Sequence, residues 1–165
     1  MLSHVSASSI KLFQNCRTKW YFKYVLGKKE PSSKAMLRGS AVHTCLENYL
    51  LTGKQPDKRT SEGKIATAGF HLLPAPDKNL KVEIAIQDLC TIDESPIPFK
   101  GYIDLLLEHD DSIEVVDHKT TSNFKYALDA DALSKDIQMI IYAKHVITFC
   151  EVSHVDLTHI AYRTT

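Results

Sequence analysis

The sequence lacks long apolar runs and has few of the residues that interrupt regular structure. No apolar run approaches the roughly 18 residues that a membrane-spanning helix needs, and the N-terminus lacks the basic and then apolar pattern of a secretory signal. Only 6 of the 165 residues are glycine and 6 are proline, while 44% are apolar, which is not the composition of a disordered chain. We therefore expect one cytoplasmic globular domain over residues 1–165, with no membrane segment.

The cysteines are also too few and too scattered to define a site. Cys16, Cys45, Cys90 and Cys150 form no Cys-x-x-Cys pair. The sequence therefore contains neither a disulfide framework nor a compact zinc or iron–sulfur motif, and we expect reduced thiols. Cys45 is interpreted as a small core residue.

Net charge is zero, because 20 lysines and arginines balance 20 acids. The charges are not distributed evenly along the chain. Residues 11–38 contain eight basic residues and one acid, Glu30, which leaves this segment at +7 and the remainder at −7. The segment is a candidate phosphate-binding surface, and the alternative is an ordinary solvated helix face.

Hydrophobic periodicity predicts a mixed α/β protein in the order helix, helix, three strands, helix, strand. The helices are predicted at about 6–26, from 39 or 40 to before Gly53, and at 128–149. The strands are predicted at 80–89, 99–109, 112–121 and 155–162. Residues 53–79 are an irregular connection, with a short helix predicted near 62–72.

The second and third strands place acidic side chains inside apolar runs. A turn at Asp110-Asp111 pairs Asp104 with Asp117, with Cβ atoms ~5 Å apart. Alternation along a strand puts Lys119 on the face of Asp117 and His118 on the other face. Facing carboxylates among apolar residues need a counter-charge, and carboxylates select hard ions such as Mg²⁺ or Mn²⁺. The alternative is that these are the ordinary exposed charges of a strand.

Several motifs together resemble one known family. Gly101-Tyr102-Ile103-Asp104 followed by Asp117-His118-Lys119-Thr120 resembles the core of PD-(D/E)XK nucleases, in the RecB-like exonuclease branch that includes CRISPR-adaptation nucleases and many phage exonucleases. Four further motifs resemble those of this branch and occur in its order: the opening helix from Ser6 to Cys16 and Trp20-Tyr21-Phe22, Gly39-Ser40-Ala41-Val42-His43, Val82-Glu83, and Gln138-Met139-Ile140-Ile141-Tyr142.

The resemblance implies a restriction-endonuclease-like core, with a mixed central sheet flanked by helices, and a metal-dependent DNA nuclease. The expected activity is that of an exonuclease in recombination or phage DNA processing, although exonuclease and endonuclease action both remain open. The implied metal ligands for Mg²⁺ or Mn²⁺ are His43, Asp104, Asp117 and the backbone carbonyl of His118. Lys119 would position or activate the attacking water, and Glu83 would complete the acidic cluster. Gln138 and Tyr142 would contact DNA or brace the site.

The expected partner is DNA, with room for recombination or replication proteins and for an oligomer. The residues implied to hold its backbone are Lys11, Arg17, Lys19, Lys23 and Arg38, together with Gln138 and Tyr142. The aromatic cluster Trp20-Tyr21-Phe22 could stack on a frayed base, but we expect it to be core.

One departure from the family pattern concerns the cysteines. Relatives with an iron–sulfur cluster pair a cysteine of the first helix with a C-terminal cysteine cluster. Cys16 is present, but no cysteine follows Cys150. We therefore expect no iron–sulfur cluster in this chain, either because this member lacks one or because the chain is truncated.

Two rival functions remain. The first is a catalytically inactive nucleic-acid-binding or accessory module on the same fold. The second is a zinc hydrolase that uses His43 and Glu47, which has only the spacing of one helical turn in its favour.

Overall fold

The computed structural model describes residues 2–28, 30–86 and 97–164. Its helices are α1 (Ala7–Asn15), α2 (Arg17–Trp20), α3 (Lys34–Thr52), α4 (Ser61–Ala68), α5 (Ala130–Ser134) and α6 (Ile137–Cys150). Its strands are β1 (Lys81–Ile86), β2 (Gly101–Glu108), β3 (Ile113–Thr121) and β4 (Val155–Arg163). A π-helical turn covers Tyr21–Val25, and 3₁₀ turns cover Phe70–Leu72 and Phe124–Tyr126. The mixed α/β class predicted from the sequence is confirmed.

The four strands form one sheet in the order β1-β2-β3-β4. β1, β2 and β3 are antiparallel neighbours, whereas β3 and β4 run parallel. The parallel pair requires a crossover, and α5 and α6 supply it. The predicted strand at 80–89 begins at Lys81, and its last three residues lie outside the described part of the chain.

The predicted N-terminal helix is broken at Cys16. Ser6 caps α1 by accepting a hydrogen bond from the backbone N–H of Ser9 at 3.2 Å. Cys16 then adopts an extended conformation, and its Sγ accepts from the backbone N–H of Lys19 at the start of α2. Gly27, with φ of 64°, follows the π-helical turn, as the sequence predicts for the end of this region.

The helix α3 begins five residues before its predicted start, because Ser33 caps it by accepting from the backbone N–H of Met36. It ends at Gly53, which has a left-handed φ of 71°. Periodicity predicts an apolar stripe of Val42, Leu46, Tyr49 and Leu50 on this helix. Val42, Leu46 and Leu50 are fully buried and Tyr49 is partly buried against the same core.

The helix predicted at 128–149 is two helices, α5 and α6. The residues between them include Asp136, whose carboxylate accepts from the backbone N–H of Gln138 and so caps α6. Within α6, Met139 is buried whereas Ile140, which periodicity assigns to the core, is exposed. The break shifts the phase of the helix and accounts for this error.

The sheet separates two apolar cores. One core lies between the sheet and α1, α5 and α6, and includes Phe99, Ile103, Val115, Met139 and Val146. The other lies between the sheet and α3 and α4, and includes Val42, Leu46, Leu105, Val116 and Ile160. The central strands β2 and β3 contribute to both cores, so a polar side chain on them is buried unless it lies near a strand end. None of the described helices is long and apolar enough to cross a membrane.

Candidate active site

The pairing of β1 with β2 is interrupted at Glu83 and Asp104. Val82 pairs with Leu105 and Ile84 pairs with Ile103, but the two acidic residues between them are skipped. Glu83 has a φ of 51°, in the left-handed region that side chains other than glycine rarely adopt. Val82 and Leu105 pack in the α3 core, whereas Ile84 and Ile103 pack in the α6 core. The interruption therefore changes the face of the sheet in both strands at the position of the two carboxylates.

These two carboxylates form a cluster with His43 of α3. One ligand atom from each of His43, Glu83 and Asp104 lies within 4.8 Å of the others. The His43 Nδ1 atom is 3.5 Å from Asp104 Oδ1, and the other Asp104 oxygen accepts a hydrogen bond from the backbone N–H of His118 at 2.6 Å. Asp104 is therefore held on both sides by donors although it is buried.

The electrostatics of the cluster favour an ionised Asp104. Burial alone would raise the pKa of Asp104, but the hydrogen bond and charge of His43 and the N–H of His118 lower it below its usual value. Burial alone would lower the pKa of His43, and Asp104 reverses this and raises it. Burial and the charge of Asp104 raise the pKa of Glu83. Two carboxylates and one histidine give the cluster a net negative charge even when His43 is protonated.

A second polar cluster lies on the face of β3 that packs against α6. The Asp117 Oδ1 atom accepts hydrogen bonds from Lys119 Nζ at 2.7 Å and from Gln138 Nε2 at 2.8 Å. Gln138 Nε2 also donates to the Tyr142 hydroxyl at 3.1 Å. Burial first, and then the charge of Asp104, raise the pKa of Asp117. Lys119 and Asp117 share a face of β3, as strand alternation predicts.

His118 joins the two clusters. Its backbone N–H binds Asp104, while its ring lies on the opposite face from Asp117, 6.2 Å from the ring centroid of His43. The Tyr162 hydroxyl is 3.3 Å from His118 Nδ1. Burial lowers the pKa of His118 to about 4, so its ring is neutral at neutral pH. The ring packs between the rings of His43 and Tyr162, and a role for the His118 carbonyl stays a prediction.

The predicted register of β2 and β3 is confirmed as far as their pairing extends. Leu105 pairs with Val116 and Glu108 with Ile113, the register that a turn at Asp110-Asp111 predicts. The ladder ends at the pair of Leu105 with Val116, one position before Asp104 and Asp117, so these two aspartates do not form the expected facing pair. The side chain of Asp104 instead takes the N–H of His118, and the described metal-ligand cluster holds Glu83 rather than Asp117.

The residues present suit a divalent cation. Glu83 and Asp104 supply carboxylate oxygens, which hard ions prefer, and His43 supplies an imidazole nitrogen, which Mn²⁺ accepts more readily than Mg²⁺. The buried carboxylate of Asp104 and the half-buried carboxylate of Glu83 leave negative charge that His43 offsets only when it is protonated. Glu47 is outside this cluster, although it lines the same cavity as His43 and Glu83.

Comparison with known families gives a clear result. The family model of the PD-(D/E)XK nuclease superfamily matches residues 4–77 and residues 66–147. These two overlapping segments cover most of the chain and contain both polar clusters. The chain belongs to the PD-(D/E)XK nuclease superfamily. No curated protein matches the sequence.

Membership of the PD-(D/E)XK nuclease superfamily makes this chain a nuclease-type hydrolase with a nucleic-acid substrate. The mixed sheet with flanking helices is consistent with the restriction-endonuclease-like fold of that superfamily. The match includes every residue to which the sequence assigns a catalytic or metal-binding role.

The basic residues of the N-terminal segment differ in whether they form ion pairs with acidic side chains. Lys11 forms an ion pair with Asp136 at 2.6 Å, and Lys19 pairs with Glu30 at 3.2 Å. Arg38 lies 3.8 Å from Glu62. The two remaining cations of the predicted set lie over aromatic rings: Arg17 over Phe13 and Lys23 over Tyr24.

The expectation that the neighbouring aromatic cluster is core is wrong. Tyr21 and Phe22 are 48% and 49% exposed, and only Trp20 is half-buried. Trp20 donates from Nε1 to Ser9 Oγ at 3.0 Å. Successive side chains of a helix lie about 100° apart, so the two rings that follow Trp20 leave the face that Trp20 occupies.

We predict that Gln138→Ala lowers the cleavage rate by about 10- to 100-fold, because Gln138 orients the Asp117 carboxylate. Lys119 still binds Asp117 in this variant, so the loss is smaller than for removal of Lys119. Single-turnover cleavage with saturating metal measures the effect. A matched variant, Lys144→Ala, changes an exposed residue of the same helix and should retain the full rate. A rate for Gln138→Ala equal to that of this control would contradict the bracing role.

We also predict that Glu83→Gly raises the free energy of unfolding of the metal-free protein, by up to about 1 kcal/mol. Glycine adopts a left-handed φ without the cost that Glu83 bears, and the variant also removes a charge beside Asp104. Glu83→Gln keeps the side chain and its strain but removes the charge, so it separates the two causes. Denaturant unfolding measures both variants. A Glu83→Gly protein less stable than the wild type would contradict this prediction.

Proposed function

We propose that this protein is a Mg²⁺- or Mn²⁺-dependent DNA nuclease of the RecB-like branch, acting as an exonuclease in recombination or phage DNA processing in the cytoplasm. The observation that most supports this proposal is the connection between the cluster around Asp104 and the cluster around Asp117. Asp104 and His43 are linked through the N–H of His118 to the strand that presents Asp117 and Lys119.

In this proposal, Asp104, Glu83, His43 and Asp117 hold the metal. The chemistry that Mg²⁺ or Mn²⁺ supplies when bound to such carboxylates is charge neutralisation at the scissile phosphate and acidification of water. Lys119 and Gln138 both donate to Asp117 Oδ1, so Asp117 Oδ2 would be the oxygen offered to the ion. Asp104 needs no rearrangement, because its two donors already fix it.

Lys119 would orient the attacking water and offset the negative charge that develops on the phosphoryl oxygens. Its side chain is 43% exposed, so it can reach a substrate that lies over the end of β3. The water oxygen forms a bond to phosphorus as the bond from phosphorus to the leaving oxygen breaks. Gln138 and Tyr142 would keep Asp117 in position during this step.

The basic segment is proposed to hold the DNA backbone without reading sequence. We predict that Lys19→Glu with Lys23→Glu weakens binding equally for unrelated DNA sequences. It should also reduce the log–log salt slope by roughly 0.7–0.9 for each phosphate that the protein no longer neutralises. Lys11 is left unchanged because its partner Asp136 caps α6, whereas Glu30, the partner of Lys19, is an exposed residue. Lys144→Glu is the control. A salt slope unchanged by the double variant would support the alternative that this segment is an ordinary solvated helix face.

The experiment that tests the activity uses end-labelled linear DNA and covalently closed circles, single- and double-stranded, with Mg²⁺ or Mn²⁺. An exonuclease degrades the linear forms and leaves the circles intact. Cleavage of circles would assign an endonuclease. The inactive-module alternative predicts binding without cleavage of any form, whereas activity restored after chelation by zinc alone would favour the zinc-hydrolase alternative.

A further inference from the structure

A cavity of about 280 Å³ lies beside Asp117 and Lys119, on the face of the sheet covered by α5 and α6. Residues after β3, α6 and the parallel strand β4 enclose it. Its lining includes Tyr126, Leu133, Met139 and His159. The catalytic chemistry proposed above does not use these four side chains.

His159 lines this cavity, and none of the described residues forms a hydrogen bond with its ring. It is the register neighbour of Asp117 in the parallel pair of β3 and β4, so both residues face the same side of the sheet. Both ring nitrogens are buried, and neither has a hydrogen-bond partner among the residues that the structure describes. A neutral imidazole offers one donor and one acceptor, and leaving both unpaired is costly. In the observed conformation the ring nitrogens have almost no exposed surface, so the ring gains a partner only by turning toward the cavity, where a bound ligand would supply it.

The remaining lining suits a flat ligand with an attached anion. Leu133 and Met139 provide apolar walls, and Lys11 and Lys119 bring positive charge to the same cavity. At the rim, the Tyr126 ring is 65% exposed, with the Lys125 ammonium 4.9 Å from its centroid. A nucleobase has two apolar faces and a polar edge, and aromatic side chains stack on it.

We propose that this cavity holds the nucleobase adjacent to the scissile phosphate, with Tyr126 stacking on the base and His159 hydrogen-bonded to its edge. The proposal rests on the proposed function, because it takes Asp117 and Lys119 as the position of the phosphate. It assigns His159 and Tyr126 as substrate-binding residues. It also implies that the enzyme binds each nucleotide by its base, whatever its sequence.

The test is nucleotide binding to the metal-free protein, followed by NMR. The probes are deoxyadenosine 5′-monophosphate and thymidine 5′-monophosphate, with deoxyribose 5-phosphate as the base-free control. Stacking of one base is worth about 1–3 kcal/mol, which corresponds to a Kd lower by a factor of about 5 to 150 than that of the control. We expect at least a tenfold difference, with shifted resonances at Leu133, Met139 and His159. Equal affinities, or shifts confined to other surfaces, would overturn the proposal.

Two exposed aromatic residues of the same 3₁₀ turn provide matched variants. Tyr126→Ala should reduce the tenfold difference to less than threefold. Phe124→Ala should preserve it, because Phe124 is 53% exposed and does not line the cavity. Both residues are exposed, so neither change threatens folding. His159→Ala should also reduce the difference, and full discrimination in both Tyr126→Ala and His159→Ala would contradict the proposal.

This experiment separates the proposal from the nuclease function. Binding is measured without metal and without cleavage. A protein that binds nucleotides through this cavity but cleaves no nucleic acid would contradict the proposed function alone. A protein that cleaves DNA but binds nucleotides and deoxyribose 5-phosphate equally would overturn the cavity assignment alone.

Discussion

Lys119→Met is expected to reduce the rate constant for DNA cleavage by about 10²- to 10⁴-fold, the usual contribution of a positioned proton-transfer or charge-stabilising group. Lys119 is the cation that binds the Asp117 carboxylate, at 2.7 Å, and its side chain extends into solvent where a phosphate would lie. Methionine keeps the apolar stem and removes the charge. Single-turnover cleavage of end-labelled DNA measures the change.

The control for this prediction is Lys144→Met, an exposed lysine on α6 that should keep the wild-type rate. Melting temperatures of the two variants and of the wild type show whether each protein is folded. Cleavage by Lys119→Met within about threefold of the wild-type rate would remove Lys119 from the mechanism. Asp117→Asn should be as inactive as Lys119→Met, because the variant lacks the carboxylate that both Lys119 and Gln138 hold.

The second large effect concerns metal binding and stability. Mn²⁺ at a hundredfold excess over its Kd should stabilise the wild type by about 2.7 kcal/mol. For a chain of this length this raises the melting temperature by about 5–10 °C. Asp104→Asn should lose most of this shift, because Asp104 is the carboxylate shared by the His43 cluster and the N–H of His118. A full Mn²⁺ shift in Asp104→Asn would contradict the assignment of this cluster.

Removing the charge of Asp104 and removing the charge of Asp117 should have opposite effects on the stability of the metal-free protein. Folding lowers the pKa of Asp104, so its charge stabilises the folded state above its unfolded pKa, and this contribution is lost as pH falls through the folded pKa. Folding raises the pKa of Asp117, so ionisation of Asp117 costs stability as pH rises through that raised pKa. At neutral pH we therefore expect Asp104→Asn to destabilise the metal-free protein, by about 1–3 kcal/mol, and Asp117→Asn to stabilise it. Denaturant unfolding with chelator measures both, and the reverse order of stabilities would contradict this account.

The sequence alone leads to a different expectation for Asp104. Facing carboxylates in a regular ladder repel each other, so removal of either charge would stabilise the metal-free protein. The structure ends the ladder before this pair and gives Asp104 two donors. The charge of Asp104 still repels its acidic neighbours, and together with burial it raises the pKa of Asp117 and the pKa of Glu83.

Most of the fold could be predicted because it depends on periodic burial. The stripe of Val42, Leu46 and Leu50 and the alternation around Lys119 follow from helix and strand geometry. The breaks at Cys16 and Asp136 were missed because apolar periodicity continues across them. Both breaks have a capping signal, since each residue accepts a hydrogen bond at the start of the next helix.

The candidate site could be predicted in residue type but not in arrangement. The predicted placement of Asp117 and Lys119 on one face of β3 is confirmed, and the structure adds the hydrogen bond between them. The cluster of His43 with Glu83 and Asp104 depends on a left-handed residue at Glu83 and an interrupted ladder, and no local signal in Val82-Glu83-Ile84 predicts either. The unpaired ring of His159 depends on the parallel register of β3 with β4, which arises from a long-range crossover that local sequence does not specify.

The most direct test of the central claim is cleavage of linear DNA by wild type, Asp117→Asn and Lys119→Met purified in parallel, each with Mg²⁺, with Mn²⁺ and with excess chelator. We predict cleavage by the wild type with either metal, no cleavage by the wild type in chelator, and rates lower by at least about 10²-fold for both variants with either metal. The parallel purification shows whether a contaminating nuclease contributes. Cleavage by either variant at the wild-type rate, or undiminished cleavage by the wild type in chelator, would contradict a metal-dependent nuclease site at Asp104, Asp117 and Lys119.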